Sequence, residues 1–395
     1  MRYYLIAGEA SGDLHASNLM RGLYAEDPQA CIRFRGGDLM KAVYDESDKG
    51  TDGGLTTHYR QGAMMGIGEI LRKAGQMSRN LRECKADIAA WKPDAVILID
   101  YPGFNFPIAK FAHKKGFKVF WYIAPKTWAS REGRNSKLRQ YVDRLFIVFP
   151  FEIPYFTEAG VPFVYKGNPL LDAIQDSPAL NRSRAEFLAA HGLKDKPFIA
   201  MLAGSRKGEI SRMMPVLTEV VRRLGADPQF KDHQFLLAGA PARSEADYLP
   251  YIQGNERIKL IFGDTYGILK FAEEAVINSG TASLEAALIG TPQVVCWSTT
   301  GFNMFVALHI LRIQDRIKYI SLANLILDKQ VFTELIQDAF TPENVIAELK
   351  SLTPGGERAA RMQEDYAAMR QVLGGGGASR AVAAEIIRLT STLST

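Results

Sequence analysis

Cysteine is scarce. Only Cys31, Cys84 and Cys296 occur in 395 residues, and no two form a CxxC pair. That spacing argues against a cysteine zinc site and a disulfide framework, and it fits a reducing compartment. The six histidines show no HExxH or comparable ligand spacing. No apolar run is long enough to span a bilayer. Residues 1–8 carry too short an apolar run for a secretory leader, and an acidic residue follows at once. A cytoplasmic location is the expectation, with the membrane surface left open. Charge of one sign is also in short supply. A net charge of +5 is too mild to imply nucleic acid. The remaining composition, 47% apolar and 23% charged, is that of an ordinary globular protein, and the length predicts two or three domains.

The chain does contain an uninterrupted apolar stretch, Ala95–Ile99, followed at once by Asp100, Tyr101, Pro102, Gly103, Phe104 and Asn105. Such a run suits a parallel strand covered by helices on both faces. The carboxyl ends of strands in open α/β sheets face the ligand crevice, so Asp100 is placed where it can reach a substrate. It is equally placed to cap a helix beginning near Phe106 or to anchor its own loop. Pro102 and Gly103 predict a tight loop.

Similar punctuation recurs along the chain. Arg2–Ala7 predicts a strand, and Gly8 to Asp13 a glycine loop. A helix follows with Leu14, Leu19, Leu23 and Tyr24 at helical spacing. The loop holds an anion at a helix N-terminus or is a structural turn. Residues 62–73 gather Met64, Met65, Ile67, Ile70 and Leu71 just ahead of Arg72, Lys73, Arg79 and Arg82. That pattern fits an interfacial segment on an anionic bilayer. It also fits a core helix with a solvated basic face. Strands are predicted at residues 118–123 and 144–148 and at Phe163–Tyr165. Alternation of strand and helix implies a parallel sheet with right-handed crossovers. Pro125, Lys126, Trp128 and Arg131 make a site loop or a packed turn.

A polar stretch over residues 170–196 marks a junction, and Phe198–Leu202 restarts the pattern. Further strands are predicted at residues 234–238, 258–261, 275–277 and 293–296. Domains are therefore expected over residues 1–170 and 171–374, with a glycine joint at residues 374–377 before a last helix. Two loops stand out in the second domain. Ser205 and Arg206 follow Gly204 at a strand end, where backbone N–H groups, a helix dipole and a guanidinium suit a diphosphate. Ser279, Gly280 and Thr281 repeat the arrangement, with Glu285 in the first turn beyond. That carboxylate can accept from a ribose diol or simply complement a helix dipole. A cleft between the two sheets' carboxyl edges would bring these loops and Asp100 to one substrate.

The motifs together resemble one family. Gly8-Glu9-Ala10-Ser11-Gly12-Asp13, Met65-Gly66-Ile67 with Glu69, Asp100-x-Pro102-x-Phe104-Asn105, Pro125-x-x-Trp128-Ala129, Pro150-Phe151-Glu152, Gly204-Ser205-Arg206, Ser279-Gly280-Thr281-Ala282 with Leu284-Glu285, and Ser321-Leu322-x-Asn324-Leu325 occur in the order found in the lipid-A-disaccharide synthases. The resemblance covers nearly the whole chain. It implies an α/β fold of the GT-B type, two Rossmann-like domains with parallel sheets facing a central cleft. The last helix, residues 375–395, would return to the first domain.

The implied reaction is inverting transfer of 2,3-diacylglucosamine from its UDP derivative to 2,3-diacylglucosamine 1-phosphate (lipid X), giving a β-1′,6-linked disaccharide 1-phosphate and UDP. Asp100 would be the base and Arg206 would stabilise the leaving diphosphate. Ser205, Ser279, Gly280, Thr281, Glu285 and Asn324 would bind the donor nucleotide, and Ser11 and Asp13 would line the acceptor side. Neither metal nor organic cofactor is implied. Met64, Met65, Ile67, Ile70 and Leu71 would contact the cytoplasmic face of the inner membrane. A homodimer stays open. Ala203, Asn168 and Ser298 depart from the usual family residues. The alternatives are another UDP-sugar enzyme on the same frame, such as an epimerase, or a non-catalytic nucleotide-sugar or lipid-binding protein.

Overall fold

The computed structural model describes residues 1–47, 52–62, 69–300 and 318–392, with the side chains of residues 61–74 also outside the description. Contacts divide the chain into two units. One runs from Met1 to Ala173 and includes the chain from Gly375 on; the other is Ile174–Gly374. The division falls inside a helix, Pro169–Gln175, a few residues beyond the expected junction.

The first unit runs β1 (Arg2–Ala7), α1 (Ala10–Glu26), β2 (Cys31–Gly36), α2 (Asp38–Ser47), β3 (Gly54–His58), α3 (Glu69–Trp91), β4 (Ala95–Ile99), α4 (Pro102–Lys114), β5 (Lys118–Tyr122), α5 (Asn135–Tyr141), β6 (Arg144–Ile147), α6 (Glu152–Glu158), β7 (Phe163–Tyr165) and α7 (Pro169–Gln175). Its strands pair in parallel in the order β3-β2-β1-β4-β5-β6-β7. β4 is fully buried because alternate residues feed two cores. Ala95, Ile97 and Ile99 pack with Leu5 and Ala7 on one face, while Val96 and Leu98 pack with Tyr4 and Ile6 on the other. Continuous apolar sequence is therefore what this position demands.

The second unit runs α8 (Arg184–Ala190), β8 (Phe198–Leu202), α9 (Lys207–Leu224), β9 (Gln234–Gly239), α10 (Leu249–Ile252), β10 (Ile258–Phe262), α11 (Thr265–Phe271), β11 (Glu274–Asn278), α12 (Thr281–Ile289), β12 (Gln293–Trp297), α13 (Leu322–Leu327), β13 (Glu334–Ile336), α14 (Pro342–Ser351) and α15 (Glu357–Leu373). Its parallel sheet has the order β10-β9-β8-β11-β12-β13. Each sheet turns back on itself once, between β1 and β4 in the first unit and between β8 and β11 in the second. Ligand crevices form at such switch points, outside the carboxyl ends of the strands.

The last helix, α16 (Ala378–Ser391), belongs to the first unit. Val382, Ala383 and Ile386 join the core that contains Leu19 and Leu23 of α1. A Cβ on Gly22 would lie 3.0 Å from the Ala383 Cβ and 3.1 Å from the Arg380 Cα, so glycine lets the two helices close on each other. The Asp172 carboxylate accepts from the N–H groups of Gly377 (2.5 Å), Ala378 (3.3 Å) and Ser379 (2.8 Å), which caps α16.

Local boundaries differ from the sequence reading at two places. α1 starts at Ala10, so Ser11, Gly12 and Asp13 form its first turn and the loop shrinks to Gly8 and Glu9. α4 starts at Pro102 rather than near Phe106, because proline at the first position of a helix loses no intrahelical bond.

Candidate functional site

In the first unit the switch point is built from the ends of β1 and β4. Ala7 pairs with Ile99, which sets Gly8 beside Asp100. Asp100 and Tyr101 both have left-handed backbones, with φ of 41° and 44°. Two such residues in succession, neither a glycine, store strain. Buried Asn105 holds the turn: its Nδ2 donates to the carbonyls of Ile99 (3.2 Å) and Asp100 (2.8 Å). The Asp100 N–H donates to the Tyr122 carbonyl at 3.0 Å. Tyr101, not Asp100, is the residue preceding α4, and the Tyr101 side chain does not cap that helix. The Tyr101 ring stacks on Phe104 with centroids 5.7 Å apart. It also lies where a Cβ on Gly8 would be, 2.2 Å from the Tyr101 Cδ1. Glycine at position 8 thus makes room for the Asp100 turn.

The neighbouring motif residues make local hydrogen bonds. Asp13, 2% exposed, accepts from the N–H groups of Gly37 (2.7 Å), Leu39 (3.0 Å) and Met40 (3.2 Å). It fixes the start of α2. Half-buried Ser11 reaches the Glu9 carboxylate at 3.4 Å. Glu152 accepts from Val148 N–H (3.1 Å), Phe149 N–H (3.0 Å) and the Trp128 indole (3.3 Å). That ties the Pro125–Trp128 loop to α6, so the loop is a packed turn. Burial pushes the Glu152 carboxyl up to about 7 against these donors. Asn168 donates to the Val148 carbonyl (3.1 Å) and accepts from Leu170 N–H (2.9 Å), a purely local role.

In the second unit the ends of β8 and β11 lie side by side. Gly204 has φ of 98°, and a Cβ there would meet the Glu209 Oε2 at 2.6 Å and the Asn278 Nδ2 at 2.9 Å. Only glycine fits. Ser205 and Arg206 are exposed at the N-terminus of α9. Their N–H groups donate to the Glu209 Oε2 at 2.9 and 3.1 Å, and Arg206 Nη1 donates to the Glu209 Oε1 at 3.2 Å. Backbone donors, a guanidinium and a helix N-terminus therefore converge on one carboxylate, the geometry an anion takes there. Ser279, Gly280 and Thr281 open α12 on the adjacent strand end, where the Ser279 N–H donates to the Cys296 carbonyl at 2.8 Å. Half-buried Glu285 accepts from the Tyr266 hydroxyl at 3.0 Å, and burial raises its carboxyl above the usual range.

Asn324 lies on α13. It is fully buried, donating to the Phe332 carbonyl (3.1 Å) and Glu334 Oε1 (3.0 Å) and accepting from the N–H groups of Val331 (2.9 Å) and Phe332 (3.3 Å). Its amide holds the segment leading into β13. The expected membrane contacts Met64, Met65 and Ile67 lie outside the described residues. Ile70 and Leu71 fall in the first turn of α3, where side chains are outside the description too. Among the described residues no helix is long and apolar enough to cross a membrane.

Glu209 and the structural part played by Asn105 escaped the sequence reading. Glu209 had a signal, a glutamate three residues into a helix where capping boxes place one. Asn105 was visible only as part of a motif.

Among solved structures, the Staphylococcus aureus MnaA–UDP complex matches with a TM-score of 0.69 at 15% identity, covering 100% of this chain and 98% of that one. A Methanocaldococcus jannaschii UDP-GlcNAc 2-epimerase with UDP-GlcNAc and UDP matches at 0.66 and 15%, covering 99% and 100%. Arabidopsis thaliana UGT89C1 with quercetin matches at 0.62 and 13%, covering 98% and 99%. These likenesses show the fold, which is GT-B. Sequence relatives are much nearer. The lipid-A-disaccharide synthase of Geobacter metallireducens is 34% identical over 98% of this chain and 97% of its own length. That of Syntrophus aciditrophicus is 35% identical over the same shares. The model of the lipid-A-disaccharide synthetase family matches residues 3–387. The chain thus belongs to the lipid-A-disaccharide synthase family and is a glycosyltransferase.

Proposed function

We propose that Asp100 is the general base of an inverting transfer, at the cytoplasmic face of the inner membrane, of 2,3-diacylglucosamine from its UDP derivative to the 6-hydroxyl of 2,3-diacylglucosamine 1-phosphate. The products are the β-1′,6-linked disaccharide 1-phosphate and UDP. The acceptor oxygen attacks the anomeric carbon from the face opposite UDP, and its proton passes to the Asp100 carboxylate. The strained turn at Asp100 is the observation that carries this assignment. Backbone strain persists where a structure over-determines a residue's position, and it clusters at functional sites.

The second unit handles the leaving group. The N–H groups of Ser205 and Arg206 and the Arg206 guanidinium take the diphosphate, displacing Glu209. Ser279, Gly280 and Thr281 present further donors at a helix N-terminus, and Glu285 accepts from the ribose. Both substrates carry acyl chains, which favours work at a bilayer surface. Met64, Met65, Ile67, Ile70 and Leu71 beside Arg72 and Lys73 have the composition for that contact.

The test is turnover with both diacyl substrates, following UDP and disaccharide. Asp100→Asn is expected to lower kcat by about 10²–10⁴-fold and to leave UDP binding unchanged. Activity surviving in that variant removes Asp100 from the role. A folded, UDP-binding wild type that makes an epimerised UDP-sugar and no disaccharide overturns the transfer itself. Serine at Met65, Ile67 and Ile70 together is expected to weaken sedimentation with anionic vesicles; unchanged binding refutes the contact.

A further inference from the structure

Arg35 ends β2 in an unusual setting. The residue is 7% exposed, and among the described residues its guanidinium has no hydrogen bond and no ion pair. The Phe104 ring lies 5.8 Å from its Cζ, and Cys84 and Tyr101 are near enough to feel its charge. The two carboxylates that line a cavity with it, Asp87 and Glu83, offer little. Asp87 is already occupied by Arg33 (2.7 and 3.1 Å) and the Tyr4 hydroxyl (2.8 Å), and Glu83 is exposed. The guanidinium lines open space where an anion can reach it, and the ring face answers only part of its charge.

Two cavities meet at this side chain. One, about 360 Å³, lies over β2 and β3; the other, about 60 Å³, is walled by Gly8, Thr57, His58, Asn80 and Tyr101. The smaller cavity reaches the residue next to Asp100. Register fixes the relation further. Arg35 pairs with Ile6, and Ile6 with Leu98, so the three share a row and a face of the sheet. Asp100 follows Leu98 by two positions. β2 and β4 flank β1, which with the two-residue offset puts the Cα atoms of Arg35 and Asp100 roughly 12 Å apart across the sheet. A single pyranose with a phosphate on its anomeric oxygen spans such a gap, phosphate at one end and 6-hydroxyl at the other.

We propose that Arg35 receives the anomeric phosphate of the acceptor sugar and so sets the 6-hydroxyl at Asp100. The proposal rests on the transferase reading above, and its chemistry is recognition of a phosphate monoester. The guanidinium supplies paired donors and the charge; the small cavity supplies the opening beside Gly8 and Tyr101.

The experiment compares wild type, Arg35→Met and Arg35→Lys with the diacyl acceptor carrying or lacking its 1-phosphate. Arg35→Met is expected to lose about 10- to 100-fold in kcat/KM on the phosphorylated acceptor. It should be unchanged on the dephosphorylated acceptor and in KM for the UDP-sugar. Arg35→Lys, which keeps the charge, should recover part of the loss and covers the case in which the methionine variant fails to fold. Equal loss on both acceptors, or no loss, overturns the assignment. Calorimetric titration with glucosamine 1-phosphate gives a second readout. Binding to wild type and not to Arg35→Met is expected. Inorganic phosphate competing as strongly as glucosamine 1-phosphate would mark a free-phosphate site and overturn the acceptor role. Retained, Arg35-dependent glucosamine 1-phosphate binding in a protein that makes no disaccharide would refute the transfer while leaving the phosphate site standing.

Discussion

Asp100 and Tyr101 hold left-handed conformations that cost an L-residue about 1–2 kcal/mol each. Asn105 offsets that cost by bonding two successive carbonyls of the turn, at 3.2 and 2.8 Å. Asn105→Ala removes both donors inside the protein and should destabilise it by about 1–3 kcal/mol. The turn then relaxes toward ordinary φ, and the Asp100 carboxylate moves from the place proposed for the acceptor. The expected result is a fall in kcat with KM for the UDP-sugar unchanged, since Asn105 positions Asp100 and touches no donor group. Equal changes in both constants would show a general loss of structure instead. Gly204 poses the matching question in the second unit. Gly204→Ala brings a Cβ within 2.6 Å of the Glu209 Oε2 at a φ of 98°. The loop must shift, and UDP affinity, read by calorimetry, should drop by about 10-fold or more, the loss of one to two charge-assisted bonds.

At the scale of elements, the most exposed dependency is α16. The helix is held to α1 by close packing at Gly22 and by the Asp172 cap, while its Arg380–Glu26 pair at 2.5 Å is exposed and adds little. Gly22→Leu forces the helices apart. Cleavage by proteinase K at residues 374–377 should accelerate in that variant, and unchanged cleavage would show that the packing is not what holds α16.

Elements of this kind also show where sequence is readable. β4, β8 and β11 are buried on both faces, so their apolar runs announce them, and the loops at their carboxyl ends follow. β2 was invisible because Arg33 and Arg35 alternate with Ile32 and Phe34, a pattern of an edge strand with a wet face. Here α3 covers that face, and only the three-dimensional fold reveals it. What Asp13 and Asn324 do for the fold was hidden for a related reason, because hydrogen bonds from a side chain to distant backbone leave no pattern in the sequence.

Over the whole molecule, buried ionisable groups make stability a function of pH. Burial, helped by the charge of Glu273, pushes the Glu274 carboxyl up to about 8 from 4.5, and the residue is 1% exposed. Its Oε2 has no partner among the described residues. Glu152, pushed up to about 7, acts in the same direction, whereas burial lowers His15 to about 4. The signs follow from which state binds the proton more tightly. A raised carboxyl keeps its proton in the fold while the unfolded chain releases it, so stability is full below pH 4.5 and falls as pH rises to 7 or 8. The depressed histidine acts oppositely: the unfolded chain takes up its proton first, and stability falls as pH drops from 6.5 toward 4. Above pH 6.5 only the carboxyls remain, and the whole protein should lose stability on the alkaline side. Glu274 sits at the start of β11, at the opposite end from the loop carrying Ser279, so it can be changed without touching the donor residues. Glu274→Gln removes its titration and keeps its shape. Relative to wild type, the variant should gain about 3–4 kcal/mol at pH 8 compared with pH 5, because each unit of pKa shift is worth about 1.4 kcal/mol. In melting temperature that difference amounts to roughly 5–15 °C. A Tm difference between the two proteins that is the same at pH 5 and pH 8 would show that Glu274 is charged in the fold and that this source of alkaline instability does not exist.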